Sequence, residues 1–164
     1  EIGLDYHYDY TDREKQIMVF RKQLDIAQKY NKPIIVHSRD SIQDTYNILK
    51  EYNLKGSIHC FSGSVEMARE FIKLGYKIGI GGIITYKNAK TIKEVVKDTN
   101  LAYILLETDS PYLAPVPHRG EDNSPKYIPI IADEIASIKG TSGLDIARVT
   151  TANAEAIFDF SCEK

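Results

Sequence analysis

The sequence contains no tryptophan, only two cysteines and no apolar run that approaches the ~20 residues of a membrane-spanning helix. These absences exclude a membrane protein and leave the composition of an ordinary globular chain. Cys60 and Cys162 lie far apart and form no CxxC pair, which favours a reducing compartment over a disulfide scaffold. We therefore expect a cytoplasmic protein with no membrane partner.

The sequence also lacks a dominant charge and the usual phosphate-binding glycine motifs. Its formal net charge is -2, so any contact with nucleic acid has to be local rather than spread over a basic surface. No GxGxxG follows a strand and no GxxxxGK[ST] occurs, while the "GIGG" of Gly79–Gly82 lacks the spacing that holds a pyrophosphate. These patterns exclude the common nucleotide-binding folds.

Short apolar runs alternate with segments of helical periodicity along the chain. This alternation predicts a parallel α/β sheet in a single domain over residues 1–164. The pattern alone does not distinguish an open doubly wound sheet from part of a (β/α)8 barrel. The predicted strands are Glu1–Leu4, Ile34–Val36, Ser57–His59, Ile78–Ile80 and Ile104–Leu106.

Capping residues set the expected limits of several helices. Thr11 and Glu14 match a capping box before the first helix, and Ser64 and Gly75 match the two ends of a later one. After a proline-containing polar loop, helical periodicity returns over Ile128–Lys139 and Asp145–Phe158.

Four potential metal ligands, each associated with a different strand, distinguish this chain. They are Glu1, His37, His59 and Asp109. A barrel places its chemistry at the carboxyl ends of its strands, so we expect these side chains to converge. Carboxylate and imidazole ligands suit a divalent ion such as zinc, manganese or magnesium.

The motifs that contain these residues resemble those of the TatD family of metal-dependent deoxyribonucleases, which are amidohydrolase-like (β/α)8 barrels. The matching segments are "EIGLDY", "VHSRD", "HCFSG", "ETDSPYLAP" and the "RG..N.P" formed by Arg119, Gly120, Asn123 and Pro125. The resemblance runs from Glu1 to about Phe158. It implies a barrel of which this chain supplies about five of eight βα units.

The resemblance also implies a role for each candidate residue. Glu1 would bridge two divalent cations, His37 and His59 would complete the ligands of one, and Asp109 would belong to the other. Arg119 would face the phosphate of a DNA substrate, with single-stranded ends as the expected partner.

One family motif is missing, because no His-x-His strand occurs in this sequence. We therefore expect the chain to be the C-terminal part of a barrel, with both sheet edges and the inner face open. The missing N-terminal segment, or else a second copy of the chain, would cover them. The apolar residues expected on that inner face are Ile2, Ile35, Ile58, Ile78 and Leu105.

The expected reaction is attack of metal-activated water on a phosphodiester. Asp109 is the expected general base. Glu107 lies two residues earlier and on the same side of the strand, where it is either a partner in catalysis or a salt-bridged residue. Tyr6, Tyr8 and Tyr10 can stack on bases, but this pattern is more typical of packing.

The sequence is also compatible with two other functions. The first is metal-dependent hydrolysis of a small amide or ester, although that class usually carries a bridging lysine carbamate where this chain has Glu1. The second is a catalytically silent half-barrel.

Overall fold

The structure, a computed structural model, describes residues 1–8 and 10–158, so that Cys162 lies outside the described part. Its core is a five-stranded sheet in which strands adjacent in sequence pair in parallel, in the order β1-β2-β3-β4-β5. The predicted parallel α/β fold and strand order are confirmed, with β1 at one edge and β5 at the other. The strands are β1 (Ile2–Asp5), β2 (Ile34–Arg39), β3 (Gly56–Ile58), β4 (Tyr76–Ile80) and β5 (Ile104–Leu106).

Six α-helices follow or connect these strands in the described residues. The predicted limits at Ile128–Lys139 are confirmed, and the last helix begins two residues earlier than expected, at Gly143. None of the described helices has the combination of length and apolar character needed to cross a bilayer. The helices are α1 (Arg13–Lys29), α2 (Ile42–Leu49), α3 (Val65–Lys73), α4 (Lys90–Asp98), α5 (Ile128–Lys139) and α6 (Gly143–Phe158).

The N-cap of α1 corrects one prediction. The capping side chain is Asp12, whose carboxylate accepts a hydrogen bond from the backbone N–H of Glu14, and the predicted Thr11 capping box is absent. Asp is as good an N-cap as Ser or Thr, so neighbouring capping residues compete for the helix start. The cap of α3 is as predicted, since the Ser64 hydroxyl accepts from the N–H of Met67.

The alternating burial of β2 identifies the two faces of the sheet. Ile34 and Val36 are buried among the helices, whereas Ile35 on the opposite face is 39% exposed. The prediction that Ile2, Ile58 and Ile78 share this open face is wrong, because Ile58 and Ile78 are fully buried in the helix-facing core and Ile2 packs against the same core. In the observed strand registers, Ile58 pairs with the helix-facing Val36, and Ile78 pairs with Ile58. Because side chains alternate between the two faces along a strand, an error of one residue in the predicted alternation assigns a side chain to the wrong face.

Candidate metal centre

His59 lies at the centre of a cluster of carboxylates just beyond the end of β3. Its backbone N–H donates to the carbonyl of Val36 at 2.8 Å, which continues the β2–β3 pairing. The imidazole is only 9% exposed. Its Nε2 lies 3.2 Å from Oε1 of Glu1 and 3.1 Å from Oδ1 of Asp109. Segments from both edges of the sheet therefore meet at one nitrogen atom.

Glu107 holds the opposite side of the same ring. Its Oε2 lies 2.8 Å from Nδ1 of His59, and its Oε1 accepts a hydrogen bond from the backbone N–H of Cys60. An ionised carboxylate can only accept, so Nδ1 donates to Glu107. In the neutral imidazole, the lone pair then lies on Nε2 and faces Glu1 and Asp109. Carboxylate–histidine pairs of this kind orient metal-binding histidines.

The electrostatic environment favours a proton on His59 in the absence of a cation. Burial lowers the pKa of His59, but hydrogen bonds to Cys60 and Glu107, together with the charge of Glu107, outweigh it and raise the pKa above its usual value. A ring surrounded by carboxylates is stabilised by positive charge, whether from a proton or from a cation.

Cys60 was not recognised as a candidate from the sequence. The potential ligand atoms of His59, Cys60 and Glu107 lie within 4.8 Å of one another. Burial raises the pKa of the Cys60 thiol, which keeps it protonated and a poor ligand. Its position directly after His59 was the one available signal.

Gly79 on β4 provides the space that Glu107 occupies. A Cβ atom at Gly79 would lie 2.6 Å from Oε1 of Glu107, well inside van der Waals contact. The "GIGG" segment therefore accommodates a carboxylate of the cluster.

His37 lies on the neighbouring strand β2, at the position level with His59, and pairs with a different carboxylate. Its Nε2 is 3.0 Å from Oδ2 of Asp5, its ion-pair partner within the described chain. Burial raises the pKa of Asp5, but hydrogen bonds from the His7 backbone and from His37 outweigh it and lower the pKa below the usual value. Asp5 was also missed in the sequence, although it is part of the "EIGLD" motif.

The four predicted ligands therefore occupy two groups. The structure brings Glu1, His59 and Asp109 together with Glu107, and it places His37 in the Asp5 pair at the equivalent point of the adjacent strand. Glu1 itself precedes β1, so its side chain reaches the cluster from the amino side of that strand rather than from its carboxyl end.

Asn123 fixes the loop that carries Asp109. Its side-chain amide donates to the carbonyls of Thr108 and Tyr112, the latter at 2.6 Å. Its backbone N–H donates to the Pro111 carbonyl at 2.9 Å. Asp109 adopts a positive φ of 59° inside this tethered turn. The asparagine of the "RG..N.P" motif thus positions the aspartate.

The guanidinium of Arg119 forms no ion pair with the described residues. Its guanidinium carbon lies 4.6 Å from the centre of the Tyr86 ring, and no described carboxylate lies within 4 Å of it. The structure shows no contact between Arg119 and the His59 cluster. An arginine held over an aromatic ring without a counter-ion can bind an anion.

Comparisons with known proteins agree on one family. The model of the TatD related DNase family matches residues 1–159. The metal-dependent hydrolase YabD of Bacillus subtilis is 45% identical over 161 residues, which are 96% of this chain and 63% of YabD. The metal-dependent hydrolase YcfH of Escherichia coli is 38% identical and matches 100% of this chain and 63% of its own length.

A solved structure supports the same relationship. The crystal structure of YJJV, a TatD homologue from Escherichia coli, superposes with a TM-score of 0.91 at 33% identity, covering 97% of this chain and 62% of that one. The chain thus spans less than two thirds of the relatives it matches. On the family model, the relatives and the fold together, the chain belongs to the TatD related DNase family.

Proposed function

We propose that this chain is the site-bearing part of a metal-dependent phosphodiesterase that hydrolyses DNA. The observation that carries the proposal is the convergence of Glu1 and Asp109 on Nε2 of His59 while Glu107 holds Nδ1. This set of oxygen and nitrogen donors suits Mg²⁺, Mn²⁺ or Zn²⁺. Three carboxylates lie within 3.2 Å of the two nitrogens of one buried imidazole, and a divalent cation would offset the repulsion between their negative charges.

The roles of the residues follow from their positions. Two bound divalent cations would supply an activated water and neutralise charge on the phosphodiester. Glu1, His59 and Asp109 would be ligands, with His37 added from the adjacent strand. Asp109 has a carboxylate at the solvent edge of the cluster, 34% exposed, where it can accept the proton of the attacking water.

Glu107 would support the reaction by orienting His59, and Arg119 would support it by binding the phosphate. Glu107 keeps His59 in the orientation and tautomer that ligation needs. Arg119 can donate two parallel hydrogen bonds to the non-bridging oxygens of a phosphate, which a lysine cannot do. Single-stranded DNA ends are the proposed substrate, since a flexible strand can bring its phosphate to a partly buried cluster.

We also propose that the five βα units belong to a closed (β/α)8 barrel. Within the described residues β1 and β5 each pair with one strand only, which leaves an edge open on both sides. The relatives are longer than the stretch they share with this chain. A further polypeptide segment of the same protein, or a second copy of the chain, would close the sheet.

A comparison of substrates tests the proposed reaction. Purified protein, stripped of metal and reloaded with Mn²⁺, Mg²⁺ or Zn²⁺, is assayed on single-stranded DNA and on a panel of cyclic amides and simple esters. We expect metal-dependent cleavage of the DNA alone, lost in Asp109→Ala. Hydrolysis of an amide or ester without DNA cleavage would overturn the proposal in favour of amidohydrolase chemistry.

A further inference from the structure

Two exposed tyrosines lie in the segment that follows β1. Tyr8 is 47% exposed and Tyr10 is 87% exposed, although large apolar side chains are normally covered. Their rings stack with centroids 5.2 Å apart and planes inclined by 11°. Two stacked rings that are largely exposed to water can bind a further flat ring by stacking.

Arg39, the last residue of β2, adds a cation to this pair. Its guanidinium carbon lies 5.1 Å from the centre of the Tyr8 ring. Within the described chain no carboxylate lies within 4 Å of the Arg39 guanidinium. The group is therefore available to an external anion while it remains on the aromatic face.

Tyr6, in the same segment, is a tyrosine that packs against the protein. Its hydroxyl donates to Asp44 at 2.9 Å, its ring lies under the guanidinium of Arg13, and burial followed by the Asp44 hydrogen bond raises its pKa to about 12. Tyr8 and Tyr10 have no such hydroxyl partner in the described chain. Tyr8 and Tyr10 therefore differ from Tyr6, which lies in the same short segment but packs against the protein.

The location connects these residues to the proposed chemistry. Tyr8 follows Asp5 by three residues, and Asp5 holds His37 at 3.0 Å. Arg39 follows His37 by two residues on the same strand, so both side chains project from the same face of β2. A strand of nucleic acid lying over the carboxyl ends of β1 and β2 would approach the His59 cluster from this side.

We propose that Tyr8, Tyr10 and Arg39 form a stacking platform for the bases of single-stranded DNA, with Arg39 binding an adjacent phosphate. Aromatic side chains bind every base through its flat face, so the platform would hold the substrate without reading its sequence. The inference rests on the proposed function and deepens it by assigning the residues that bind the DNA strand next to the reacting phosphate.

The test measures binding separately from cleavage. Fluorescence anisotropy in EDTA gives the affinity for a labelled oligothymidine and for an abasic oligonucleotide with the same number of phosphates. We expect Tyr10→Ala and the double variant Tyr8→Ala/Tyr10→Ala to bind oligothymidine about 5- to 150-fold more weakly, the range expected for loss of stacking on one base. Their affinity for the abasic strand should match that of the wild type.

Tyr30 offers a matched control. It is 61% exposed with Lys29 Nζ 5.3 Å from its ring, but it lies between α1 and the amino end of β2, whereas Tyr8 and Tyr10 follow the carboxyl end of β1. Tyr30→Ala should bind both oligonucleotides like the wild type. Arg39→Gln should weaken binding of both oligonucleotides and reduce the salt dependence by about one phosphate contact.

Each result decides between the two proposals. Wild-type affinity for oligothymidine in the double variant, in a protein that cleaves DNA, would overturn the platform and leave the proposed function standing. Failure of the wild type both to bind and to cleave single-stranded DNA would overturn the proposed function and this inference together.

Discussion

At the scale of single residues, Glu107 determines which nitrogen of His59 is available for a metal. In Glu107→Gln the amide oxygen can still accept from the Cys60 N–H, but the amide nitrogen then donates to Nδ1 of His59. The ring proton would move to Nε2, the atom that faces Glu1 and Asp109. We expect metal affinity to fall about 10- to 100-fold, as measured by titration of the stripped protein with Mn²⁺.

A conservative control separates this effect from misfolding. Glu66 is an exposed glutamate in the first turn of α3, and Glu66→Gln should leave metal affinity unchanged. Unchanged affinity in Glu107→Gln, with its fold intact by circular dichroism, would show that the carboxylate does not position His59.

Tyr76 has a buried ring and a buried hydroxyl group. It is 1% exposed, and its hydroxyl has no hydrogen-bond partner within the described chain. An unsatisfied buried hydroxyl costs about 1–3 kcal/mol. We expect Tyr76→Phe to raise the free energy of unfolding at pH 7 by about 1 kcal/mol, as measured by urea denaturation.

The same hydroxyl predicts a pH dependence. Burial raises the pKa of Tyr76 far above its usual value of about 10. Above pH ~10 the unfolded chain loses this proton while the folded protein keeps it, so the wild type loses stability as the pH rises. The stability advantage of Tyr76→Phe over the wild type should therefore grow above pH 10. If the difference in free energy of unfolding between Tyr76→Phe and the wild type stayed constant above pH 10, the burial of the Tyr76 hydroxyl would be contradicted.

At the scale of elements, β4 controls the position of the residue that directly follows β5, Glu107. In Gly79→Ala the added methyl group would overlap the Glu107 carboxylate, which is already held by His59 and Cys60 and cannot move freely. We expect a loss of DNA cleavage and metal affinity comparable with that of Glu107→Gln, without unfolding of the sheet.

Gly81→Ala is the matched control for this substitution. A Cβ atom at Gly81 would lie 3.5 Å from Sγ of Cys60, an ordinary van der Waals contact. Its activity should remain close to that of the wild type. Equal activities in the two variants would refute the idea that Gly79 makes room for Glu107.

The accuracy of the sequence predictions for each element has a physical basis. The limits of α5 were predictable because its apolar periodicity ends at Gly140, which adopts the left-handed conformation that glycine favours. The start of α1 was harder, since Thr11 and Asp12 are both good caps and only their local geometry separates them. The burial of Ile58 required the register between strands, which no local pattern contains.

The candidate site was predictable only in part for a similar reason. Histidines and acids near strands indicated a metal centre, and the structure brings Glu1, His59 and Asp109 together. The partners Asp5 and Gly79 depend on contacts across strands. Such long-range contacts have no signature in the spacing of residues along the chain.

At the scale of the whole molecule, the open face of the sheet leaves an apolar cavity. The cavity has a volume of about 670 Å³ and lies between the sheet and α6, with Ile35, Leu105 and Phe158 among its lining residues. Ser57 also lines it, and the buried Ser57 hydroxyl has no partner among the described residues. Open sheet edges and exposed apolar surface favour association with another polypeptide.

We therefore expect the 164-residue chain alone to self-associate in sedimentation experiments, increasingly so as its concentration rises. A longer protein that includes the remaining length of the family should sediment as a species of fixed mass. A stable monomer of the short chain at every concentration would contradict the proposal that another segment completes the sheet.

The decisive experiment measures metal-dependent hydrolysis of single-stranded DNA in ¹⁸O-labelled water. We expect the stripped protein to be inactive and Mn²⁺ to restore cleavage, with one labelled oxygen in each new phosphate end. We also expect Asp109→Asn and His59→Ala to remain inactive at the same metal concentration. Cleavage that persists without metal, or that survives loss of His59, would contradict the assignment of this cluster as the catalytic metal centre.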